Sequence, residues 1–402
     1  MIKNQSVKML ALSFVPFIMV LGNSMLIPVL TDIKRELNIT SLEANLVLSY
    51  FSFSAALIIP FLGFLSDRIG RKKVIIPALV LYGVGGLISG FASVFAKDPY
   101  KLIIFGRIVQ GFGAAGTSPI AMALVSDMFS STERSKALGI IEASNGVGKV
   151  VSPILGSIIA MIAWYFIFFS YSFLTIPVAV FVGLVIKEDR SHAERKNLRI
   201  YFGEIWTILK AKGFSLGICL LGGFGILFIL YGVLANISDI LGGALTSNVL
   251  KRGFIVALPV TTMSIVSYWL GTYLQNRRGI YKKMVLYSFV ICIIALLWIP
   301  YGESFIIRLV MLEVIGIAAG MALTALNTFV TSCAPPGKRG VITAVYNSCR
   351  FLGIAGGPIY FSNFYGQNSK LIFFVIITGG FALLTQQYLQ TDRMLQYFGV
   401  KK

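Results

Sequence analysis

Charged side chains buried in apolar runs are where this sequence could do chemistry. Glu142 and Lys149 share one run, Arg107 lies in another, Glu313 in a third, Arg350 in a fourth, and Asp32 closes the first. A charge at bilayer mid-depth costs about 2.5–3.5 kcal/mol on insertion scales, so each needs a partner or a water-filled cavity. At a rise of about 1.5 Å per residue, Lys149, Arg350 and Glu313 fall near the middle of their runs. Glu142 falls nearer one face, and Arg107 and Asp32 nearer the other. Glu142 and Lys149 are seven residues apart and share a helix face. Proton carriage is the chemistry such groups support, with Glu313 first, Asp32 second, then Glu142 or Lys149. Asp32 also reads as a helix cap or a surface acid. Lys149, Arg350 and the neighbouring Asn145 are the candidates for lining a substrate cavity. The other reading of Lys149 is a snorkelling lysine, although its stem barely reaches an interface from that depth. The other reading of Arg350 is a brace for an adjacent helix.

The elements that must hold these groups are membrane helices. The 402 residues are 56% hydrophobic and 13% charged, with a mean hydropathy of +0.83. Soluble domains carry about 25% charged residues, so a water-soluble fold is excluded. Twelve runs are long enough to cross a bilayer: 9–30, 42–65, 74–96, 102–126, 137–160, 162–186, 214–236, 253–274, 284–301, 304–328, 341–364 and 370–390. The net charge of +19 suggests nucleic acid only until it is mapped. With both termini on one face, most of the 35 lysines and arginines fall on that face, which the positive-inside rule makes cytoplasmic. No nucleic-acid partner is expected; the bilayer is the partner. The first run reads as a span because it is too long for a signal peptide's apolar core. Cys219, Cys292, Cys333 and Cys349 lack paired spacing and read as packing residues. His192 is the only histidine, so no metal site and no cofactor are expected.

Residues 187–213 form the one long polar stretch and read as a cytoplasmic linker, with Tyr201, Phe202 and Trp206 on an interfacial helix. They divide the chain into bundles 1–186 and 214–402, six spans each. Gly148 to Pro153 recurs as Gly353 to Pro358, and Arg134 as Arg339, at an offset of about 205 residues. The predicted fold is therefore an all-α membrane protein of twelve transmembrane helices in two six-helix bundles with pseudo-two-fold symmetry.

Three local patterns stand out. Gly63, Asp67, Arg68, Gly70, Arg71 and Lys72 belong to a charged turn, Gly63–Lys73, between spans two and three; Gly271–Lys283 is its decayed copy. Gly111, Gly113 and Gly116 spell a dinucleotide fingerprint, but inside an apolar run, where glycines serve close helix packing. Ser144, Gly148, Ser152 and Gly156 recur every fourth residue as a packing stripe, bent by Pro153; Gly353 and Pro358 are its counterparts.

These residues resemble the major facilitator superfamily, and within it the twelve-span drug:proton antiporters of bacteria. Gly63–Lys73 resembles its signature loop, Arg107-x-x-Gln110-Gly111 its fourth-span motif and Gly148–Ser157 its fifth-span antiporter motif. Ser152 and Ser157 depart from that motif's glycines, and Lys149 adds a cation. The resemblance implies that Asp67 and the basic residues of the turn act as a gating latch, and that Arg107 tunes the proton site. It implies a bacterial plasma-membrane protein, not an enzyme, powered by the proton gradient without a cofactor. The expected activity is export of a small organic molecule by a monomer, through alternating access. Two mid-depth cations favour an anionic substrate such as a siderophore. Import of a sugar or organic acid with protons is the alternative direction, and a non-transporting sensor is the alternative class.

Overall fold

In the computed structural model the apolar runs are helices, described for residues 2–129, 131–188, 198–241, 248–274, 280–298, 305–332, 339–362 and 368–389. His192, Cys333 and the middle of the decayed loop copy lie outside these described residues. The first run is α1 (Ile2–Ser24), a 3-10 turn (Ile27–Val29) and α2 (Leu30–Glu36). The fourth is α5 (Pro99–Ala115) and α6 (Ser118–Met128), broken at Gly116-Thr117, where Pro119 enters the first turn of α6. A proline lacks the donor that would continue the helix from upstream but fits a new helix start. The remaining spans are α3 (Ser41–Ile69), α4 (Arg71–Phe95), α7 (Ser131–Ala160), α8 (Phe166–Val185), α9 (Leu198–Ile240), α10 (Val249–Leu274), α11 (Tyr281–Trp298), α12 (Phe305–Ser332), α13 (Arg339–Phe361) and α14 (Asn368–Tyr388).

Nine helical stretches among the described residues are long and apolar enough to cross a membrane by themselves. Neither α7 nor α13 is among them. They are the repeat-related helices that carry Lys149 and Arg350, and their polarity needs neighbours to hold it in a bilayer. Capping is local: Thr40 and Glu43 form a reciprocal capping box at the start of α3. The interfacial helix expected in the linker is not a separate element. It is the first part of α9, which runs 43 residues from Leu198 into the seventh span without a break.

Two compact units emerge: Met1–Leu198 with Ser238–Ala257, and Arg199–Ile237 with Leu258–Lys402. Hydropathy alone would give residues 238–257 to the second bundle; polar contacts described below tie them to the first. In the first unit α4 packs on α5 and α8, α3 on α5, and α1 on α7 and α8. Its aromatic centre stacks edge to face, Phe51 on Tyr82 and Tyr82 on Tyr171, with centroids 6.0 and 5.8 Å apart. In the second unit α11 packs on α12 and α14, with Phe289 on Phe381 at 4.5 Å. Phe53, Leu57 and Phe61 form an exposed apolar ridge on α3, as expected of a surface facing lipid.

Candidate functional site

The charged turn is a knot of caps. Gly70, at φ 106°, ends α3 and lets α4 start at once, a conformation that favours glycine. Arg71 pairs with Asp67 one turn earlier, donates to Ser66 Oγ at 2.7 Å and reaches Asp127 of α6 at 3.3 Å. Glu188, just past α8, accepts the backbone N–H groups of Arg71 and Lys72 at 2.6 and 2.9 Å. A carboxylate there satisfies orphan donors and opposes the helix dipole. Lys72 answers by donating Nζ to the carbonyls of Gly183 and Ile186, at 2.7 and 2.6 Å, at the end of α8. Arg68 and Lys73 are exposed, and Gly63 contributes its carbonyl to Ser66. Asp127 and Glu188 were missed in the sequence because each lies more than fifty residues from the turn.

Arg107 is fully buried in the middle of the first unit. Its Nε donates to Val47 O at 2.9 Å, Nη1 to Gln110 Oε1 at 2.6 Å and Nη2 to Asn23 Oδ1 at 2.5 Å. Asn23 passes a hydrogen bond on to Ser52, and the guanidinium lies 4.4 Å from the Phe51 ring centroid. Neutral acceptors and a π face solvate this cation; no carboxylate among the described residues pairs with it. With no exposed surface, the guanidinium contacts only α3, Gln110 and Asn23 among the described residues.

Glycines set how closely the helices approach. Gly111 lies against Phe51 O of α3, where a Cβ would sit 2.3 Å away, and Gly113 against Ala78 O of α4 at 2.6 Å. The fingerprint-like glycines thus face two helices. On α7, Ser144 donates to Ser13 O at 2.6 Å, Ser152 to Gly148 O, and Gly148 faces Phe17 O across α1. The second unit repeats this, with Gly353 of α13 against Phe224 O of α9 and Gly316 of α12 against Pro259 O of α10. One position is inverted. Gly156 of α7 receives Met25, just past the end of α1, whereas its repeat mate Phe361 of α13 fills the space over Gly232 of α9. Pro153 and Pro358 lie inside their helices next to these contacts.

The charges expected at mid-depth divide between the two units. In the first unit Lys149 and Asn145 are half-buried and Glu142 is exposed. In the second, Arg350 donates Nη1 to Asn347 Oδ1 at 3.1 Å and lies 5.6 Å from the Tyr346 ring centroid. Its Nε and the Tyr346 hydroxyl are buried without partners. Glu313 accepts a hydrogen bond from Thr262 of α10 through Oε2, while Oε1 is buried and unpartnered. Arg350 and Glu313 make no ion pair with each other. Thr262 was not legible as a partner, since nothing in the sequence registers α10 against α12.

Asp32 lies at the end of the first unit away from the charged turn and is paired: Arg252 Nη2 is 2.6 Å from Oδ2 and Arg35 Nη2 is 3.7 Å from Oδ1. Among the described residues no cluster of His, Cys, Asp or Glu could hold a metal.

Comparisons with known proteins agree with this geometry. The chain is 34% identical over 366 residues to the bacillibactin exporter of Bacillus subtilis (strain 168), covering 90% of this chain and 91% of that one. It is 31% identical over 182 residues to multidrug resistance protein 2 of the same organism, 45% and 44% of the two chains. Its fold matches a bacterial homolog to the human lysosomal transporter Spinster with a TM-score of 0.76, at 16% identity and 98% coverage of both chains. Residues 12–358 match the Major Facilitator Superfamily. The capped turn after the second span, the buried arginine in the fourth and the glycine packing duplicated between the halves thus stand in a chain that belongs to the Major Facilitator Superfamily.

Proposed function

We propose that this transporter exports a small organic anion in exchange for protons, by alternating access, and that catecholate siderophores of the bacillibactin kind are its first candidate substrates. The observation that carries the anionic substrate is Arg350, a half-buried guanidinium at mid-span with no carboxylate partner among the described residues. Lys149, on the repeat-related helix of the first unit, is the corresponding cation there. Both suit oxyanions, Arg350 through its fork and Lys149 as a point charge. Glu313 carries the proton, held by Thr262 and turned on one side to an unpartnered oxygen. Export is supported by the similarity to the Bacillus bacillibactin exporter and by the α7 packing stripe. The protein works as a monomer in the bacterial plasma membrane, with both termini cytoplasmic and the Gly63–Lys73 turn on the same face. The deciding experiment uses inverted vesicles loaded with acid. Accumulation of iron-free bacillibactin, reduced in Arg350→Ala, is expected. Accumulation that needs the opposite gradient makes the protein an importer, and none with any tested anion removes the substrate class.

A further inference from the structure

Arg252, in the first turn of α10, is 2% exposed, yet only one of its nitrogens is satisfied: Nη2 donates to Asp32, while Nε and Nη1 are buried without partners. The neighbouring Ser157 hydroxyl is also buried and unpartnered. Around this pair the end of α9 and the start of α10, residues 238–257, pack within the first unit. Asp239 accepts from Ser41 at 2.8 Å and pairs with Lys34 at 3.4 Å, and Lys34 donates to Ser41 at 2.6 Å. Thr31 donates to the Ser238 carbonyl at 3.1 Å, and Ser238 donates to the Ile27 carbonyl. Gly253 lies so close to α7 that a Cβ would meet Ser157 and, at 2.8 Å, the Pro153 carbonyl.

A buried ion pair whose arginine lacks two partners is a poor source of stability, because the desolvation of those donors is not recovered. A contact that forms and breaks once per cycle has the opposite requirement: it must hold without being too deep a trap. A half-satisfied arginine meets that requirement.

We propose that Arg252, acting on Asp32, is a release latch for the face opposite the Gly63–Lys73 turn. It fastens the α9 and α10 ends to α2, α3 and α7, and lets go once in each transport cycle. Arg252 is thus a positioning residue and touches no substrate. The latch rests on the transporter reading alone, not on export, protons or an anionic substrate.

The test places a reporter cysteine at Val29, which is fully buried between Ile27 and Thr31. Cys219, Cys292, Cys333 and Cys349 are replaced by alanine, and the purified full chain is labelled with a polar maleimide. In the parent, Val29→Cys is protected. In Arg252→Ala and in the near-isosteric Asp32→Asn it labels roughly tenfold faster or more, as a shift in the closed population requires. Arg252→Lys and the charge swap Asp32→Arg with Arg252→Asp label near the parent rate. If Arg252→Ala does not fold, Asp32→Asn carries the measurement. Folded, monodisperse single variants that label at the parent rate overturn the latch, since a merely structural role changes yield and leaves the labelling rate of folded protein alone. Failure of gradient-driven export in a parent whose labelling responds as expected removes the proposed substrate or direction and leaves the latch standing.

Discussion

Lys72 and Glu188 cap each other's helices. Glu188 takes the first N–H groups of α4, beginning at Arg71, and Lys72 takes the last carbonyls of α8. The signature turn is therefore anchored to the start of the mid-chain linker by two opposite charges, each working on backbone.

Glu188→Ala should loosen the turn by about 1–2 kcal/mol, the usual value of a lost helix N-cap. Glu188→Gln keeps one acceptor and should lose less. Limited proteolysis of the linker reads the difference, and equal cleavage of both variants and the parent would show that the cap does not hold it.

Asp67→Asn should stop transport with little loss of folded protein. Arg71 keeps Asp127 and Ser66, so the turn survives without its charge pair. Vesicle transport beside size-exclusion yield checks this; wild-type rates would mean that Asp67 has no gating role.

Arg107→Lys keeps the charge but cannot reach Val47, Gln110 and Asn23 together. Losing two hydrogen bonds to a charged group costs about 3 kcal/mol or more. A thermal midpoint lowered by several degrees is expected, and an unchanged midpoint would show that the network is redundant.

Gly156→Ala and Gly232→Ala should behave differently even though they stand at repeat-related contacts. The first drives a Cβ into backbone, the Met25 carbonyl at 2.2 Å, and the second into the Phe361 ring at 2.4 Å. Each single change should cost about 1–3 kcal/mol by overpacking. Phe361→Leu should rescue Gly232→Ala, while Met25→Ala should not rescue Gly156→Ala. A double-mutant cycle measures both couplings.

Glu313→Gln should leave substrate counterflow intact while abolishing its response to a pH gradient. Thr262→Val should weaken that response without removing it. Retained gradient-driven transport in Glu313→Gln would move the proton to Asp32 or Glu142.

The fold was largely legible because a bilayer imposes one dominant rule, and twelve runs of sufficient length leave little choice of architecture. The α7 stripe was legible for a similar reason: small residues at every fourth position must face something close. Partners at long range were not. Arg252 reads in sequence as one more basic residue at a span end, beside the exposed Lys251. Only tertiary packing shows that one points into protein and the other away. Asn23 beside Arg107 and Thr262 beside Glu313 escaped for the same reason, since neutral polar residues in apolar runs carry no signal of what they touch. The linker helix was read as separate because its polarity changes at Gly213, although the backbone has no reason to stop there.

That continuity has a mechanical consequence. A helix of 43 residues with no internal proline is a rod roughly 64 Å long. Its near end begins in the linker and its far end carries Ser238 and Asp239. A stiff rod does not absorb a push; it delivers it. A tilt imposed where it begins is therefore carried along one helix axis toward the hydrogen bonds of Ser238 and Asp239.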